Sequence, residues 1–301
     1  MTDLTVIIIT KNEEKNIKKC VDSFKGIAKR FVVVDSFSDD KTKQKCVEIN
    51  LELKKIGSRL DFYQNKFVDH ATQINWAIDN TEINTKWTMR IDADEELLPE
   101  LANEISTKLD KINEEINGIV LRRRIIFLGR WLKHGGRYPE YLLRIWKTGY
   151  ARCEQKLMDE HIILKKGKTI TFKNDLQDNN QKNLDWWTSK HNWYSNKELL
   201  DYQLTQKTEV KENSVERGVS TTQAKIKRKI KNKGYYKLPM FFRAHLYFIY
   251  RYYFRLGFLD GKEGKIFNFL QAYWYRFLVD AKMYEQMKKN IDIEEQGELK
   301  I

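Results

Sequence analysis

A cluster of carboxylates directly follows a predicted buried strand, and it limits what this chain can fold into. The strand is predicted at Trp87–Ile91, and Asp92, Asp94, Glu95 and Glu96 come after it. Carboxylates held together repel one another unless a cation or a positive ligand lies beside them. Asp92 and Asp94 are two residues apart, so an extended backbone points both to the same side. The cluster therefore predicts oxygen ligands for a divalent ion or, because a helical pattern follows, a helix N-cap.

Apolar runs alternate with helical patterns along the first third of the chain. Val6–Ile9 and Phe31–Val34 are continuous apolar runs, which are typical of parallel strands buried on both faces. Helical patterns separate these runs from Leu60–Tyr63 and from the strand before Asp92. The alternation predicts an α/β fold with a mostly parallel sheet flanked by helices.

Polar loops follow three of the predicted strands, at Thr10–Glu14, Asp35–Asp40 and Asp92–Glu96. Ligands of parallel sheets bind outside the carboxyl ends of the strands, so we expect these loops to meet at one crevice. The sequence contains neither GxGxxG nor GxxxxGK[ST], which disfavours dinucleotide-binding and P-loop enzymes. A diphosphate bound there would need a metal ion or basic side chains, and Asp92 and Asp94 could hold the metal.

Basic residues are in excess, and the formal net charge is +13. This excess predicts an anionic partner, either a phosphorylated substrate or a membrane surface. We do not expect nucleic acid to be that partner, because the sequence has no DNA- or RNA-binding signature. The three cysteines lie far apart, which disfavours a disulfide framework and agrees with a reducing, cytoplasmic location.

A region with several arginines and tight-turn residues follows the predicted sheet. Its candidate contacts to an acceptor or a phosphate are Arg130, Trp131, Arg137, Tyr138 and Arg144. Arginine binds phosphate through two parallel hydrogen bonds, and aromatic rings can stack on sugars. For any single arginine a solvated basic hairpin explains the pattern as well, and for Trp131 core packing does.

Three motifs together resemble family 2 glycosyltransferases of the GT-A fold. They are Ile9–Glu14, Val34–Thr42 and Ile91–Glu95, in the order of a nucleotide loop, a second nucleotide loop and a DxD element. Gly129–Trp146 and Lys190–Ser195 resemble the branch of lipopolysaccharide-core β-1,4-glucosyltransferases. The resemblance implies a GT-A catalytic domain over residues 1–180, followed by a helical, basic and aromatic region over residues 181–301.

The resemblance also implies roles for individual residues of the first two motifs. It places Thr10, Asn12 and Glu14 in the nucleoside pocket. Asp39 would lie near the uracil, and Asp35 would lie near the ribose or the base.

The resemblance implies further roles for the DxD element and for a later loop. Asp92 would contact the ribose or the metal, and Asp94 would hold Mn²⁺ or Mg²⁺ on the diphosphate. The family carries a catalytic carboxylate after the sheet, where this chain has Asp159-Glu160-His161 in place of the branch's His-Glu pair. Asp159 or Glu160 would be the base that deprotonates the acceptor hydroxyl, and Glu160 is favoured.

Basic and aromatic residues dominate the last third of the chain. Lys225–Lys237 contains seven basic residues and no acid, and Leu238–Met283 is crowded with aromatic residues. Gly257, Gly261 and Gly264 should break that segment into two helices. The helices either lie in the interface of an anionic membrane or pack on the catalytic domain or a second protomer. The membrane is favoured, because lysines bind anionic lipid and aromatic rings suit headgroup depth.

Together these features predict an inverting, metal-dependent hexosyltransferase that is peripheral on the inner face of the cell membrane. It would move glucose, or next N-acetylglucosamine, from a UDP-sugar to a lipid-linked, lipopolysaccharide or polysaccharide acceptor. One alternative is a sugar-phosphate nucleotidyltransferase, which the absence of a Gly-rich, lysine-bearing N-terminal loop disfavours. The other is a non-catalytic membrane-associated scaffold with a decayed site, which the presence of all three carboxylate-bearing loops disfavours.

Overall fold

The computed structural model describes residues 1–156, 158, 160–207 and 221–298. The chain forms two compact units, which are described separately. The first unit comprises Met1–Leu132, Arg137–Gln181 and Glu212–Ile226, and the second unit comprises Lys133–Gly136, Lys182–Lys211 and Lys227–Ile301. The boundary between residues 180 and 181 stays a prediction.

The first unit is built on a sheet of nine strands within the described residues, with a separate two-stranded sheet. In chain order the strands are β1 (Thr2–Thr10), β2 (Ala28–Asp35), β3 (Arg59–Gln64), β4 (Trp87–Asp92), β5 (Glu95–Leu97), β6 (Ile116–Phe127), β7 (Arg130–Trp131), β8 (Glu140–Lys147), β9 (Ala151–Cys153), β10 (Ile162–Leu164) and β11 (Lys168–Asp178). The strand order of the large sheet is β3-β2-β1-β4-β8-β6-β11-β5, with β7 paired to β6, while β9 and β10 pair with each other.

The large sheet is mixed rather than mostly parallel. Its first four strands, β3, β2, β1 and β4, are parallel to one another, as the alternating pattern predicts. β8 then lies antiparallel between β4 and β6. β11 is parallel to β6, and the short edge strand β5 is antiparallel to β11.

Helices cover both faces of the parallel strands. The helices of this part of the chain are α1 (Ile17–Asp22), α2 (Thr42–Lys54), α3 (His70–Asn80) and α4 (Pro99–Lys108). Ile8 of β1 joins a core cluster with α1 and α2, whereas its neighbour Ile7 packs with Val32 and with Ala77 of α3. Successive residues of a strand point to opposite faces, so both faces need apolar side chains. This explains why β1 and β2 are continuous apolar runs.

The second unit is helical, as the last third of the sequence predicts. Its helices are α5 (Leu184–Lys207), α6 (Thr222–Lys233, which begins in the first unit), α7 (Phe242–Ile249), α8 (Gly261–Asn268) and α9 (Tyr275–Glu298), with π-helical turns at Tyr250–Phe254 and Phe269–Trp274. Among the helices of the described residues, none combines the length and the apolar character needed to cross a bilayer.

Two of the three predicted glycine breaks coincide with a change of helix. Gly257 is the first residue of a short 3₁₀ turn, Gly257–Asp260, and Gly261 follows that turn with a φ of 68°. Gly264 does not break a helix, so that part of the prediction is wrong. A Cβ at Gly264 would lie 2.5 Å from the Asp260 side chain and 2.7 Å from the Gly257 carbonyl oxygen, so this glycine allows α8 to approach the preceding 3₁₀ turn closely.

A buried carboxylate on α5 holds three other segments of the second unit. Glu198 accepts hydrogen bonds from Tyr236 at 2.9 Å, from Arg276 at 2.6 Å and from the Tyr275 hydroxyl. Lys231 forms an ion pair with it at 2.9 Å. Burial by itself would raise the pKa of Glu198, but the cations Arg276 and Lys231 outweigh burial and hold that pKa well below its usual range.

We expect Glu198→Gln to lower the free energy of unfolding of the second unit by about 3–5 kcal/mol, because Arg276 loses its buried counter-ion. A carboxyl whose pKa is depressed in the folded state stabilises the fold above its unfolded pKa, near pH 4.3. That contribution is lost as the pH falls through the folded pKa, so wild type and variant should converge in acid. Urea unfolding at several pH values measures both effects.

The matched control is Glu285→Gln, since Glu285 forms an exposed ion pair with Lys289 on α9. Such surface pairs contribute less than about 1 kcal/mol. Equal destabilisation by the two substitutions would contradict the role given to Glu198.

Candidate active site

The loops after β1 and β2 are joined by a buried carboxylate. Asp35 is fully buried, and its Oδ1 accepts a hydrogen bond from the Thr10 hydroxyl at 2.9 Å. Its Oδ2 accepts one from the Ser38 amide at 2.8 Å, and the Ser38 hydroxyl also donates to Oδ1. Asp35 therefore fixes the course of the second loop relative to the end of β1. A direct contact from Asp35 to a nucleoside stays a prediction.

Asn12 and Glu14 extend the connection between the two loops. Asn12 adopts a left-handed φ of 56°, which asparagine tolerates better than most residues. Its amide donates to Ser38 Oγ at 2.8 Å, and its Oδ1 accepts from the Asp39 amide at 3.1 Å. Glu14 accepts from the Lys41 amide at 3.0 Å. The structure thus brings the predicted nucleotide-binding residues together, with the Asp39 side chain exposed.

Three arginines surround the carboxylates that follow β4. Arg90, two residues before Asp92 on the same strand, contacts Asp92 Oδ1 at 3.2 Å. Arg144 of β8 lies 3.3 Å from Asp92 Oδ2 and 2.6 Å from Glu95 Oε1. Arg123 of β6 reaches the same Glu95 oxygen at 3.2 Å. These charges form one connected network, in which the arginines are the positive partners of Asp92 and Glu95.

The network sets the charge of each carboxyl group. Burial by itself would raise the pKa of Asp92, but Arg90, Arg144 and Arg123 hold that pKa well below its usual range. Asp92 is therefore an anion at neutral pH.

The pKa values of two other carboxyl groups of the cluster are raised and not lowered. Burial raises the pKa of Glu95 above its usual range, although Arg144 and Arg123 oppose this. Burial, together with the charge of Asp94, raises the pKa of Asp178 to about 8. The cluster thus contains more carboxyl groups than its arginines neutralise.

The candidate base lies beside this network. Glu160 Oε1 is 3.5 Å from the Arg90 guanidinium, whose side chain is only 10% exposed. Arg90 therefore bridges Glu160 and Asp92, which are 68 positions apart in the sequence. Asp159, the alternative base, lies outside the described residues.

Asp94 is the carboxylate best suited to hold a divalent cation. Its Oδ2 accepts a hydrogen bond from Asn180 at 2.6 Å, and in the described residues it has no arginine partner. It adjoins a small cleft that is also lined by Asn16 and Cys20. Hard divalent ions prefer carboxylate and carbonyl oxygens, and such an ion would offset the repulsion between Asp94 and Asp178. Among the described residues, no three His, Cys, Asp or Glu side chains already converge as a metal site.

The predicted acceptor residues lie in different environments in the structure. Trp131 and Tyr138 are in edge-to-face contact, with ring centroids 5.0 Å apart, and the Tyr138 hydroxyl donates to Asp175 at 2.9 Å. Arg130 is exposed, whereas Arg144 is buried among the carboxylates described above. The observed partners of Arg144 are thus acidic, and a direct contact from it to acceptor or phosphate stays a prediction.

Arg90, Arg123 and Asp178 also belong to this cluster, although no sequence pattern described above identifies them as site residues. Arg90 could have been found, because its spacing of two from Asp92 places both on one face of a strand. Arg123 and Asp178 could not, since their proximity to Glu95 depends on how β6, β11 and β5 pair.

Residues 5–168 match the family model described as Glycosyl transferase family 2. This match covers more than half of the chain, which therefore belongs to glycosyl transferase family 2.

Two curated relatives match shorter segments of the chain. An uncharacterized glycosyltransferase of Rickettsia bellii is 34% identical over 102 residues, which are 34% of this chain and 31% of that protein. The SPbeta prophage-derived glycosyltransferase SunS of Bacillus subtilis is 32% identical over 95 residues, which are 30% of this chain and 20% of that protein. The matched segment spans less than a third of either relative.

A solved structure supports the fold over nearly the whole chain. The mannosyltransferase PcManGT from Pyrobaculum calidifontis, determined with GDP-Man and Mn²⁺, superposes with a TM-score of 0.52. The alignment covers 94% of this chain and 87% of that chain at 13% identity. At this identity the likeness concerns the fold alone. It confirms the GT-A-like architecture, a mixed sheet flanked by helices and followed by a helical region.

We expect Asp35→Asn to destabilise the first unit by about 1–3 kcal/mol, because an amide NH₂ would replace an oxygen that accepts buried hydrogen bonds. Thermal unfolding measures this loss. Asp39→Asn is the matched control, since Asp39 is exposed and should leave the melting temperature unchanged. Equal melting temperatures for both variants would contradict a structural role for Asp35.

Proposed function

We propose that the protein transfers a hexose from a UDP-sugar to an acceptor hydroxyl, with inversion at the anomeric carbon. The observation that carries this proposal is the bridge from Glu160 through Arg90 to Asp92. It brings the candidate base next to the carboxylates that would face the donor. An inverting transfer needs one base on the acceptor side and positive charge on the leaving diphosphate. Membership of glycosyl transferase family 2 supports the same reaction class.

In the proposed reaction the acceptor oxygen bonds to the anomeric carbon as the bond from that carbon to the diphosphate breaks. The Glu160 carboxylate takes the proton of the acceptor hydroxyl, and UDP leaves. Asp94, assisted by Asp92, would hold Mn²⁺ or Mg²⁺, which when bound supplies positive charge to the leaving diphosphate. Arg90 keeps Glu160 and Asp92 at a fixed separation.

The donor and acceptor are proposed from the resemblance to the lipopolysaccharide-core branch. Glucose is the favoured sugar, followed by N-acetylglucosamine. The acceptor would be a lipid-linked, lipopolysaccharide or other saccharide hydroxyl at the inner face of the membrane. Because PcManGT was solved with GDP-Man, a GDP-sugar is the donor to test against UDP-sugars.

The donor and the metal can be tested by thermal unfolding with UDP, GDP, CDP and TDP, each with and without Mn²⁺. A ligand that binds only the folded protein raises the melting temperature by mass action. We expect UDP to give the largest increase and Mn²⁺ to enlarge it. Asp94→Asn should abolish the Mn²⁺-dependent part, because the variant loses the carboxylate proposed to hold the metal.

Asp110→Asn is the matched control, since Asp110 is exposed and lies on a short 3₁₀ turn after α4. It should respond to UDP and Mn²⁺ like the wild type. A full Mn²⁺ effect in Asp94→Asn would contradict the metal assignment. The absence of a shift with any nucleotide would favour the non-catalytic scaffold.

The base can be tested through slow hydrolysis of UDP-glucose, in which water replaces the acceptor. We expect Glu160→Gln to slow release of UDP by about 10²–10⁴-fold, the usual effect of losing a general base. Binding of UDP should be unchanged, because Glu160 acts on the acceptor side. Since the donor sugar is α-linked, inversion should release glucose first as the β anomer, which proton NMR distinguishes.

Glu115→Gln serves as the control, because Glu115 is exposed and pairs with Lys168. A wild-type hydrolysis rate in Glu160→Gln, with a loss in Asp159→Asn, would transfer the role of base to Asp159. Release of the α anomer first would rule out inversion.

A further inference from the structure

The helical segment Phe242–Phe254 buries both of its arginines and exposes six of its large apolar side chains. α7 continues directly into the π-helical turn at Tyr250–Phe254. Arg243 is buried and forms hydrogen bonds with the buried carboxylate of Asp280, one of them at 2.8 Å. Arg251 is also buried and donates to the Tyr247 hydroxyl at 2.7 Å. Neither arginine therefore lies on the exposed side of this segment.

That opposite side is an exposed apolar stripe, which we call the aromatic face. Its side chains are 37–76% exposed, and Phe254 is the most exposed. Their spacing of four, seven, eight, eleven and twelve residues from the first member places them along one side of a helix. The members of the aromatic face are Phe242, Leu246, Ile249, Tyr250, Tyr253 and Phe254.

Ring contacts connect the aromatic face to further exposed residues of the second unit. Tyr252 contacts both Tyr253 and Phe258, and Tyr273 contacts both Phe248 and Phe269. Phe258 and Leu259 on the 3₁₀ turn are 43% and 49% exposed, and Phe269 is 48% exposed. Single exposed apolar side chains are common, but a contiguous exposed patch of large ones marks an interaction surface.

Within residues 234–278, which carry this patch, the exposed charged side chains have one sign. Between residues 234 and 278 the sequence has only two acids, Asp260 and Glu263, and neither is exposed. The basic side chains exposed over the same range, which together we call the basic rim, are Lys237, Arg255, Lys262 and Lys265. An apolar face with a basic rim is complementary to a surface that is apolar below and anionic above.

We propose that the aromatic face docks the protein on an anionic lipid bilayer, with its rings at the level of the headgroups. The exposed lysines would bind anionic headgroups, and no helix would need to span the membrane. This inference rests on the membrane location in the proposed function and names the surface responsible for it. A second copy of the chain fits less well. In a two-fold symmetric dimer the same patch meets itself, so basic rim would face basic rim.

The proposal is tested by co-sedimentation of the full chain with vesicles. We expect binding to vesicles that contain phosphatidylglycerol, weak binding to vesicles of phosphatidylcholine alone, and a decrease with added salt. Tyr253→Ser/Phe254→Ser should weaken binding by about tenfold or more, since two large rings no longer leave water. The matched control is Val47→Ser/Leu51→Ser on α2, where two exposed apolar side chains lie four residues apart outside the aromatic face.

The basic rim is tested by Lys262→Glu/Lys265→Glu. Each lysine near an anionic surface strengthens binding by roughly fivefold, so the double reversal should weaken binding at least about 25-fold. Lys54→Glu/Lys55→Glu makes the same change in charge at exposed positions at the end of α2, and it should have a much smaller effect.

A site-specific probe reports whether the aromatic face enters the bilayer. The three native cysteines are buried, so a cysteine introduced by Phe254→Cys can be labelled selectively with an environment-sensitive fluorophore. Its emission should shift to shorter wavelength with anionic vesicles, whereas the same label at Leu51→Cys should not shift.

Absence of vesicle binding, or equal binding by the aromatic-face variant and its α2 control, would overturn the proposal. Self-association that Tyr253→Ser/Phe254→Ser abolishes, without vesicle binding, would assign the face to a second copy and also overturn it. The response of the same preparations to UDP and Mn²⁺ reports separately on the proposed transferase. A failed membrane proposal can therefore be distinguished from a failed donor assignment.

Discussion

The architecture of the first unit depends on the neutralisation of buried carboxylates by buried arginines. Glu95 lies at the edge of the sheet and is held at once by Arg144 and Arg123. Arg144 and Arg123 offset the cost of removing its charge from water where β5 pairs with β11. Because Arg144 also reaches Asp92, the same interaction ties the sheet edge to the DxD element. Asp94 has neither an arginine nor a lysine partner in the described residues, whereas Glu96 pairs with Lys19 at 2.9 Å, and this is why a cation is proposed at Asp94.

The parallel half of the sheet was predictable from sequence because its signal is local. β1 and β2 are buried on both faces, so their apolar runs are continuous whatever their neighbours. The antiparallel half carries no such signal, because the position of β8 between β4 and β6 depends on pairing across the sheet. The same reason limits the prediction of the site. The composition around Arg144 suggests phosphate binding, yet its buried partner Glu95 is 49 residues away.

In the second unit the sequence predicted helices and two of their breaks, but not which side of a helix faces water. Arg243 interrupts an aromatic segment and would ordinarily mark the exposed side. In the structure it is buried against Asp280, 37 residues away, and the apolar side chains are exposed instead. Sequence periodicity predicts that a helix has an apolar and a polar side. Which side is buried depends on partners distant in the sequence, here Asp280 for Arg243.

Buried arginine–carboxylate pairs thus have a comparable consequence in both units. Such pairs add little net stability, because desolvation offsets most of their attraction, but they strongly determine which groups lie inside. In the first unit, arginines pair with Asp92 and Glu95 and a lysine pairs with Glu96, so the proposed cation is assigned to Asp94. In the second unit, burial of Arg243 with Asp280 turns the aromatic face toward the surroundings. A water-soluble anionic donor and a lipid-linked acceptor would need these two kinds of surface, a cation site and an apolar face with a basic rim. The proposed function therefore depends on two sets of groups. One is the set of charges neutralised inside each unit, and the other is the set of groups that these pairs leave exposed.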